Sequence, residues 1–482
     1  MSNYSLPNFR VDKKDFLGGN NSYDDFPEGG ALAATVGVNS FSKPGLLTQA
    51  PALGAAVTGS LPKTGVISWG IGSGTSAPAV IGVFGNATDD GTFYSVNEAS
   101  GAMTAVGSAD TTRNYTLGVT DTVWYSGSFY TTSDTNICKN SADLATRDTT
   151  FWTTTKGQAA LTAGIPHPLL VYESIMYVAD GRYLHKLDGT TVSTQVWDAP
   201  PDHIITAMVE YNGLMHIVAE PYKNLTGSVH GLSQMFSWDG LLESWYEQYF
   251  IDYRVNSMYV YKNRLYIWTN DYVGLWTGTE TEPIYPVSNQ VFKCHITATA
   301  DSMYFVDGGT LVRYGKPFIP SISRKFYNYM SSAALPFAGI ISASGDSMIL
   351  TETHASAAPN YFVADINTPA STGARTFTFN SRYFFRPVRA RGVVINSEPL
   401  TAGQSIKVGY VDSNGDTKFA AAAAVFDGDV STMVGRTTQG FDVMSTPPTR
   451  SMDPVVIITG NPHIRSIDFL YEGSENKTEG NS

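Results

Sequence analysis

One unit recurs along this chain and limits its fold more than any other feature. It is an apolar-aromatic strand, a short polar turn, and a second strand. The unit appears as Val123-Trp124-Tyr125-Ser126-Gly127-Ser128-Phe129-Tyr130 and again as Val171-Tyr172-Glu173-Ser174-Ile175-Met176-Tyr177-Val178. It returns as Val209-Glu210-Tyr211-Asn212-Gly213-Leu214-Met215-His216 and Val260-Tyr261-Lys262-Asn263-Arg264-Leu265-Tyr266-Ile267. Looser copies are Ala300–Phe305 and Gly345–Leu350, and Val80–Phe84 is a degenerate first copy. With Tyr130, Tyr177, His216, Tyr266, Tyr304 and Ile349 equivalent, the spacings are 47, 39, 50, 38 and 45. A period of roughly 40–50 residues built on strand–turn–strand units predicts a β-propeller with four-stranded blades. Residues 61–370 then hold six or seven blades, counted as seven, with closure by a strand borrowed from the other end as one way to complete the weak first copy.

Further hairpin strands follow in the better copies, as in Tyr183–Gly189, Val273–Gly278 and Leu311–Gly315. No segment shows the i, i+3, i+4, i+7 apolar spacing of an amphipathic helix. The chain is expected to be all-β.

Two segments flank the repeats. Residues 1–60 hold Gly18-Gly19-Asn20-Asn21, Pro27-Glu28-Gly29-Gly30, Pro44-Gly45 and Pro51, a density of turn residues that leaves little room for regular elements. That segment reads either as a flexible leader or as an extended arm packed on a neighbouring domain or subunit. Residues 371–472 change texture. Strands such as Thr376–Asn380, Arg391–Asn396, Ser405–Val411, Val455–Thr459 and Ile464–Tyr471 alternate with turns, which predicts a β-sandwich or jelly roll. The polar residues 473–482 are expected to be a disordered tail.

Composition excludes several classes. Charged residues make up 15% of the 482, and the net charge is −12. A chain this low in charge and this rich in aromatics folds. Its acidic balance argues against a nucleic-acid reader, which needs clustered Lys and Arg. The longest apolar run, Ala420–Phe426, is far short of a membrane span, and the first residues lack a basic start followed by an apolar run, so neither membrane insertion nor a signal peptide is expected. Cys138 and Cys294 cannot form a disulfide framework for a chain this large.

Chemistry-bearing patterns are sparse. The eight histidines stand singly, without a zinc spacing. Cys294 and His295, read as adjacent strand residues, face opposite ways and argue against joint ligation. Gly70-Ile71-Gly72-Ser73-Gly74 is Gly-rich with no helix after it, and reads as a turn. Asp412-Ser413-Asn414-Gly415-Asp416 starts like a calcium loop but lacks the later acidic ligand, so a hairpin turn fits better, and Asp427-Gly428-Asp429 reads the same way. Ser237-Trp238-Asp239-Gly240 is a single approach to the Asp-box that sialidases repeat blade by blade. The sequons at Asn86, Asn114 and Asn224 occur in a Thr-rich chain and carry little weight without a secretory route. Arg382, Arg386, Arg389 and Arg391 form the one tight basic cluster, with Arg389 and Arg391 expected on a common strand face. They read either as a solvated face or as a patch that docks on an acidic neighbour, which a second copy of this chain would supply.

The arrangement as a whole resembles a known group. The Gly-Gly-Asn and Pro-x-Gly-Gly opening, the stretch from Asn39 to Leu46, the repeats, Phe377-Thr378-Phe379, Val388–Val393 and the ending Ser466–Glu472 follow the order found in β-propeller structural proteins of the tail or head-closure apparatus of tailed bacteriophages. That resemblance implies a virion component, such as a nozzle, adaptor or tail-decorating protein. It would be present in several copies, assembled in the host cytoplasm and bound to itself and to other tail or head-closure proteins. It implies no active site, no cofactor and no metal. An acidic wall around a DNA channel would repel phosphate and let passing DNA slide. The alternative reading is a propeller that binds a glycan or receptor in its centre, with a glycan hydrolase behind it.

Overall fold

The computed structural model describes residues 8–12, 38–39, 46–56, 66–71, 80–84, 92–97, 100–106, 121–142, 146–222, 232–241, 244–288, 290–291, 293–315, 325–331, 337–344, 347–352, 361–369, 374–379, 382–419, 426–427, 436–440 and 448–473. The tail beyond residue 473, all three sequons, His230, His354 and the Gly18–Gly30 punctuation lie outside these residues. Two compact units emerge: Leu53–Leu311 with Ser332–Ala364, and Met1–Ala52 with Val312–Ser331 and Asp365–Ser482.

Among the described residues the chain is all-β, apart from two single helical turns, Phe151–Thr155 and Lys293–His295. Seven four-stranded sheets follow one another. The first is built from Val66–Ile71, Val80–Phe84, Thr92–Val96 and Met103–Val106. The second takes Thr122–Tyr125, Ser128–Thr132, Ile137–Ser141 and Arg147–Asp148, and the third Leu169–Tyr172, Ile175–Asp180, Tyr183–Asp188 and Thr191–Asp198. The fourth holds His203–Tyr211, Leu214–Pro221, Ser233–Trp238 and Glu247–Ile251, and the fifth Val255–Tyr261, Arg264–Thr269, Tyr272–Trp276 and Thr281–Pro286. The sixth comprises Ile296–Ala298, Ser302–Asp307, Thr310–Gly315 and Lys325–Ser331. The seventh has Phe337–Ser344, Ser347–Glu352 and Tyr361–Pro369, and its fourth strand is Pro51–Ala56 from the beginning of the chain.

The repeats seen in the sequence are the first hairpins of the second to fifth sheets, and their turns explain why. Ser126-Gly127, Glu173-Ser174, Asn212-Gly213 and Lys262-Asn263 all have both residues at positive φ, between 46° and 75°. That is the turn whose twist matches two right-twisted strands and brings them into register with no loop residue to spare. A Tyr precedes each turn: Tyr125 pairs with Ser128, Tyr172 with Ile175, Tyr211 with Leu214 and Tyr261 with Arg264. Two of these tyrosines tie one sheet to the next. The Gly189 N–H donates to the Tyr125 hydroxyl at 2.7 Å, and the Tyr172 hydroxyl donates to the Gly213 carbonyl at 2.7 Å.

Apolar faces stack in chain order. Tyr130, Phe151 and Trp152 of the second sheet and its connection pack with Leu169, Met176 and Leu187 of the third. Tyr177, Leu184 and Trp197 pack with Met215, Phe236 and Trp238 of the fourth. Ala207, Val218 and Met235 meet Met258, Ile267 and Trp276 of the fifth, whose Trp268 contacts Phe305 of the sixth. Ile341 and Ile349 of the seventh sheet pack with Val80, Tyr94 and Val96 of the first, and Ile81 and Phe93 join Phe129 of the second. The succession therefore closes on itself. Trp152, Trp238 and Trp268 are fully buried. At about 25 cal/mol per Å² and roughly 200 Å² per ring, each contributes up to about 5 kcal/mol of transfer free energy.

The other unit is built on one nine-stranded sheet around its own core. Thr449–Thr459 pairs with Ser405–Asp412 on one side, and with Ala374–Thr378 and then the start of Arg382–Ser397 on the other. The rest of Arg382–Ser397 lies between Ile464–Gly473 and Arg436–Gly440. Phe377, Ile406, Val408, Val456 and Ile458 share one core with Val393, Ile395, Ile467 and Phe469.

The described parts of the first 50 residues are bound into this unit. Asn8–Asp12 adds to the edge of Ile464–Gly473, where Arg10 faces Asp468 and holds its buried carboxylate with two bonds of 2.6 and 3.1 Å. Leu47 is buried in the core and exchanges backbone bonds with Ile464. Asp412–Asp416 is the hairpin turn its sequence suggests, with the Asp412 Oδ1 accepting the N–H groups of Asn414 and Asp416.

Candidate functional site

The first strands approach one another in order from the first sheet to the fifth and from the sixth through the seventh back to the first, and the helical turn Lys293–His295 sits against those of the first, fifth and seventh sheets. Cys294 and His295 are thus on a helical turn, so the expectation that they alternate across a strand is corrected. Two residues before the turn, the Ser257 hydroxyl donates to the Val291 carbonyl at 2.8 Å. From there Lys293 reaches Asp121, with its Nζ 3.1 and 3.0 Å from the two carboxylate oxygens. Asp121 is buried and also accepts the N–H of Thr122 at 2.9 Å and of Leu169 at 3.0 Å. The His295 ring lies over Gly339, where an added Cβ would stand 3.3 Å from it.

This interior polar network is bonded to itself. Ser68, Thr122 and Thr131 hydroxyls form a chain with links of 2.9 and 3.2 Å. The Thr132 hydroxyl donates to the His167 carbonyl, and the His167 ring nitrogens lie 3.0 Å from the carbonyl oxygens of Ala179, Asp134 and Thr162. Burial pushes the pKa values of His185 and His216 down. Glu220, fully buried, pairs with Arg254 at 3.2 Å between the fourth and fifth sheets. The Ser68–Thr122, Leu169–Asp121 and Lys293–Asp121 contacts join residues 48 to 172 positions apart. Among the described residues no cluster of three His, Cys, Asp or Glu has metal-binding geometry. Ser237-Trp238-Asp239-Gly240 is a packing corner, with Trp238 buried and Gly240 pressed against the Tyr177 hydroxyl.

The surface is different. Of the large exposed hydrophobic side chains among the described residues, all but Ile71 belong to the fourth sheet and its connections: Tyr222, Leu232, Leu241, Tyr246, Phe250 and Tyr253. Phe250 is 61% exposed on the outermost strand, Glu247–Ile251, and Tyr246 and Tyr253 flank that strand at 54% and 40%. Tyr249, on the other face, packs on Trp276 of the next sheet at 4.7 Å, and its pKa is pushed up to about 12 by burial and by its bond to Glu247. Carboxylates interleave with the rings: Glu247 and Asp252 are exposed, and Asp239 accepts the Tyr246 hydroxyl at 2.7 Å.

The sequence reading missed this strip, although a signal is present. A half-buried strand places its aromatics at one parity, whereas Tyr246, Tyr249, Phe250 and Tyr253 occupy both. Within the strand and its start, Tyr246 and Phe250 at one parity are exposed, and Tyr249 at the other packs on Trp276.

The basic cluster lies on Arg382–Ser397, in the nine-stranded sheet. Arg386 and Arg389 are exposed, while the side chains of Arg382 and Arg391 lie outside the described residues. Register shifts fall between Tyr383 and Val388 and between Ala390 and Gly392. The second changes the buried parity from Val388 and Ala390 to Val393 and Ile395. Simple alternation therefore does not relate Arg389 to Arg391, because the strand bulges between them. Glu472 stands opposite Arg389 in the ladder.

No protein-family model matches the chain, and no curated protein does. Solved structures similar to it include the computationally designed Ika8 protein, at 9% identity and a TM-score of 0.42 over 65% of this chain and 99% of that one. Hsv2 of Kluyveromyces lactis is similar at 9% identity and a TM-score of 0.36, over 68% and 95%. The WD40 domain of Neurospora crassa Pan2 is similar at 8% and 0.40, over 63% and 90%. The fold described above rests on the strand pairing of this chain and not on these likenesses.

Proposed function

We propose that this chain is a structural protein that assembles in several copies, a seven-bladed β-propeller joined to a β-sandwich, in the tail of a tailed bacteriophage. Support for the blade count comes from seven sheets whose packing returns from the seventh to the first. Support for the sandwich comes from a single core that collects side chains from both halves of the nine-stranded sheet. The observation that carries the assembly reading is the set of exposed apolar side chains that, among the described residues and apart from Ile71, belongs to the fourth sheet and its connections. Exposed aromatic and aliphatic side chains gathered on one sheet mark an interaction site. The Asp121–Lys293 and Glu220–Arg254 pairs, by contrast, link separate elements of the sheets. The virion setting rests on the resemblance in element order, on low charge and on the wealth of aromatic residues.

Quantitative mass spectrometry of purified phage particles tests this reading. A copy number in fixed proportion to a portal or tail protein supports it, and absence from the particles refutes it.

The exposed rings favour a second reading, a glycan-binding surface, because sugars stack on aromatic faces. A glycan array separates the two. Saturable binding abolished by Tyr246→Ala and Phe250→Ala would favour the glycan reading.

A further inference from the structure

We infer that the outer edge of the fourth sheet, Tyr246 to Tyr253, receives Arg386 and Arg389 of a second copy of this chain. This inference names the partner of the strip and rests on the multicopy part of the proposed function.

The strip has the chemistry of a guanidinium receptor. Tyr246, Phe250 and Tyr253 present exposed rings, Asp252 is exposed beside them, and Glu247 is exposed on the same strand, where it accepts the Tyr249 hydroxyl. A planar guanidinium stacks on a ring face while its N–H groups bond a carboxylate in the ring's plane, a combination a lysine ammonium does not reproduce. The molecule uses both halves of that recognition internally. The Arg147 guanidinium lies 4.2 Å from the centroid of the Phe93 ring. Arg182 lies 5.3 Å over Tyr183 and pairs with Asp198, and Arg10 grips Asp468 with two bonds.

The complementary surface is on the same chain. Arg386 and Arg389 are exposed on a strand, and among the described residues neither has an ion pair. An overall charge of −12 makes a basic patch uncommon on this surface, so it is the feature an acidic strip would select. Because the two surfaces are different, the contact is head-to-tail, and repeating it generates a closed ring or an open chain.

Charge reversal tests the inference in the full-length chain, read by sedimentation velocity and native mass spectrometry. E247K/D252K and R386E/R389E are each expected to weaken self-association by about tenfold or more, since attraction becomes repulsion at two positions. Mixing the two variants sets the introduced lysines of one opposite the introduced glutamates of the other and restores the wild-type pairing at alternate contacts, so association is expected to return. That rescue also shows that both variants fold. A wild-type chain still monomeric at about 100 µM overturns the inference. Association indifferent to either reversal overturns it too, as does failure of the mixture to recover. The particle measurement fails independently: a chain absent from particles whose association still follows the charge swap refutes the virion setting and leaves this contact standing.

Discussion

Asp121 ties the start of its own sheet to Leu169 of the next sheet and to Lys293, and its loss has a calculable order of effect. In Asp121→Ala the Leu169 N–H, on a fully buried residue, loses its acceptor, and the Thr122 N–H loses another. A buried donor stripped of a charged partner costs about 1.5–3 kcal/mol. The Lys293 ammonium also loses its partner, but that side chain is 44% exposed and regains water, so the ion pair itself adds about 0–1 kcal/mol. The expected loss is therefore about 2–4 kcal/mol for Asp121→Ala, against about 1 kcal/mol or less for Lys293→Met. Tryptophan fluorescence during denaturant unfolding is the assay. All eight tryptophans fall between Trp69 and Trp276, so the signal reports the unit that contains Asp121 and is silent for the other. If Lys293→Met costs as much as Asp121→Ala, the salt link and not the two backbone bonds holds the elements together, and the reasoning is refuted.

Three further outcomes follow from positions already described. Gly240→Ala is expected to destabilise by about 2 kcal/mol, because Gly240 has a φ of +81° and its new Cβ would stand 2.9 Å from the Tyr177 hydroxyl; a neutral effect in the same assay would contradict this. Ser174→Gly is expected to stabilise by roughly 0.5–1 kcal/mol, since a serine at φ 62° strains a turn that glycine fills freely, and a lowered denaturation midpoint would count against it. Burial holds His185 and His216 below their ordinary value of 6.5, so the unfolded chain takes up protons before the folded one does. Stability is therefore expected to fall as pH drops below 6.5, and His216→Gln should flatten that slope in a pH series of unfolding curves.

The hairpins were legible because their information is local. A Tyr, two turn residues and a returning strand specify a pairing within eight positions, and the pairing of Tyr125 with Ser128 or Tyr211 with Leu214 needs nothing else. Pro51–Ala56 was not legible as a strand. Its sequence, Pro-Ala-Leu-Gly-Ala-Ala, is small and featureless, and it is extended because Tyr361–Pro369 offers it an open edge. Closure by a strand from the other end was foreseeable, but not which one. The link from Lys293 to Asp121 crosses 172 positions and leaves no trace in either neighbourhood. Beyond Ala390 the buried parity changes for a local reason: a register shift falls between Ala390 and Gly392, and Gly392 is its only sign in the sequence. The exposed strip was hidden by its own residue types, because Tyr and Phe on a strand read as core until their parity is counted.

The borrowed fourth strand sets a schedule for synthesis. Pro51–Ala56 leaves the ribosome about 300 residues before Tyr361–Pro369, its partner, exists. At elongation rates of about 5–20 residues per second it waits roughly 15–60 s with its hydrogen-bonding edge unmet. Asn8–Asp12 waits longer still, for Ile464–Gly473 at the far end. The last sheet is thus completed only after Tyr361–Pro369 is made, and a nascent chain stalled before Tyr361 carries a strand that the Tyr361–Pro369 edge of another copy can adopt. Slower translation lengthens the window for such swaps, so the yield of closed molecules is tied to codon tempo as well as to the energetics of the finished fold.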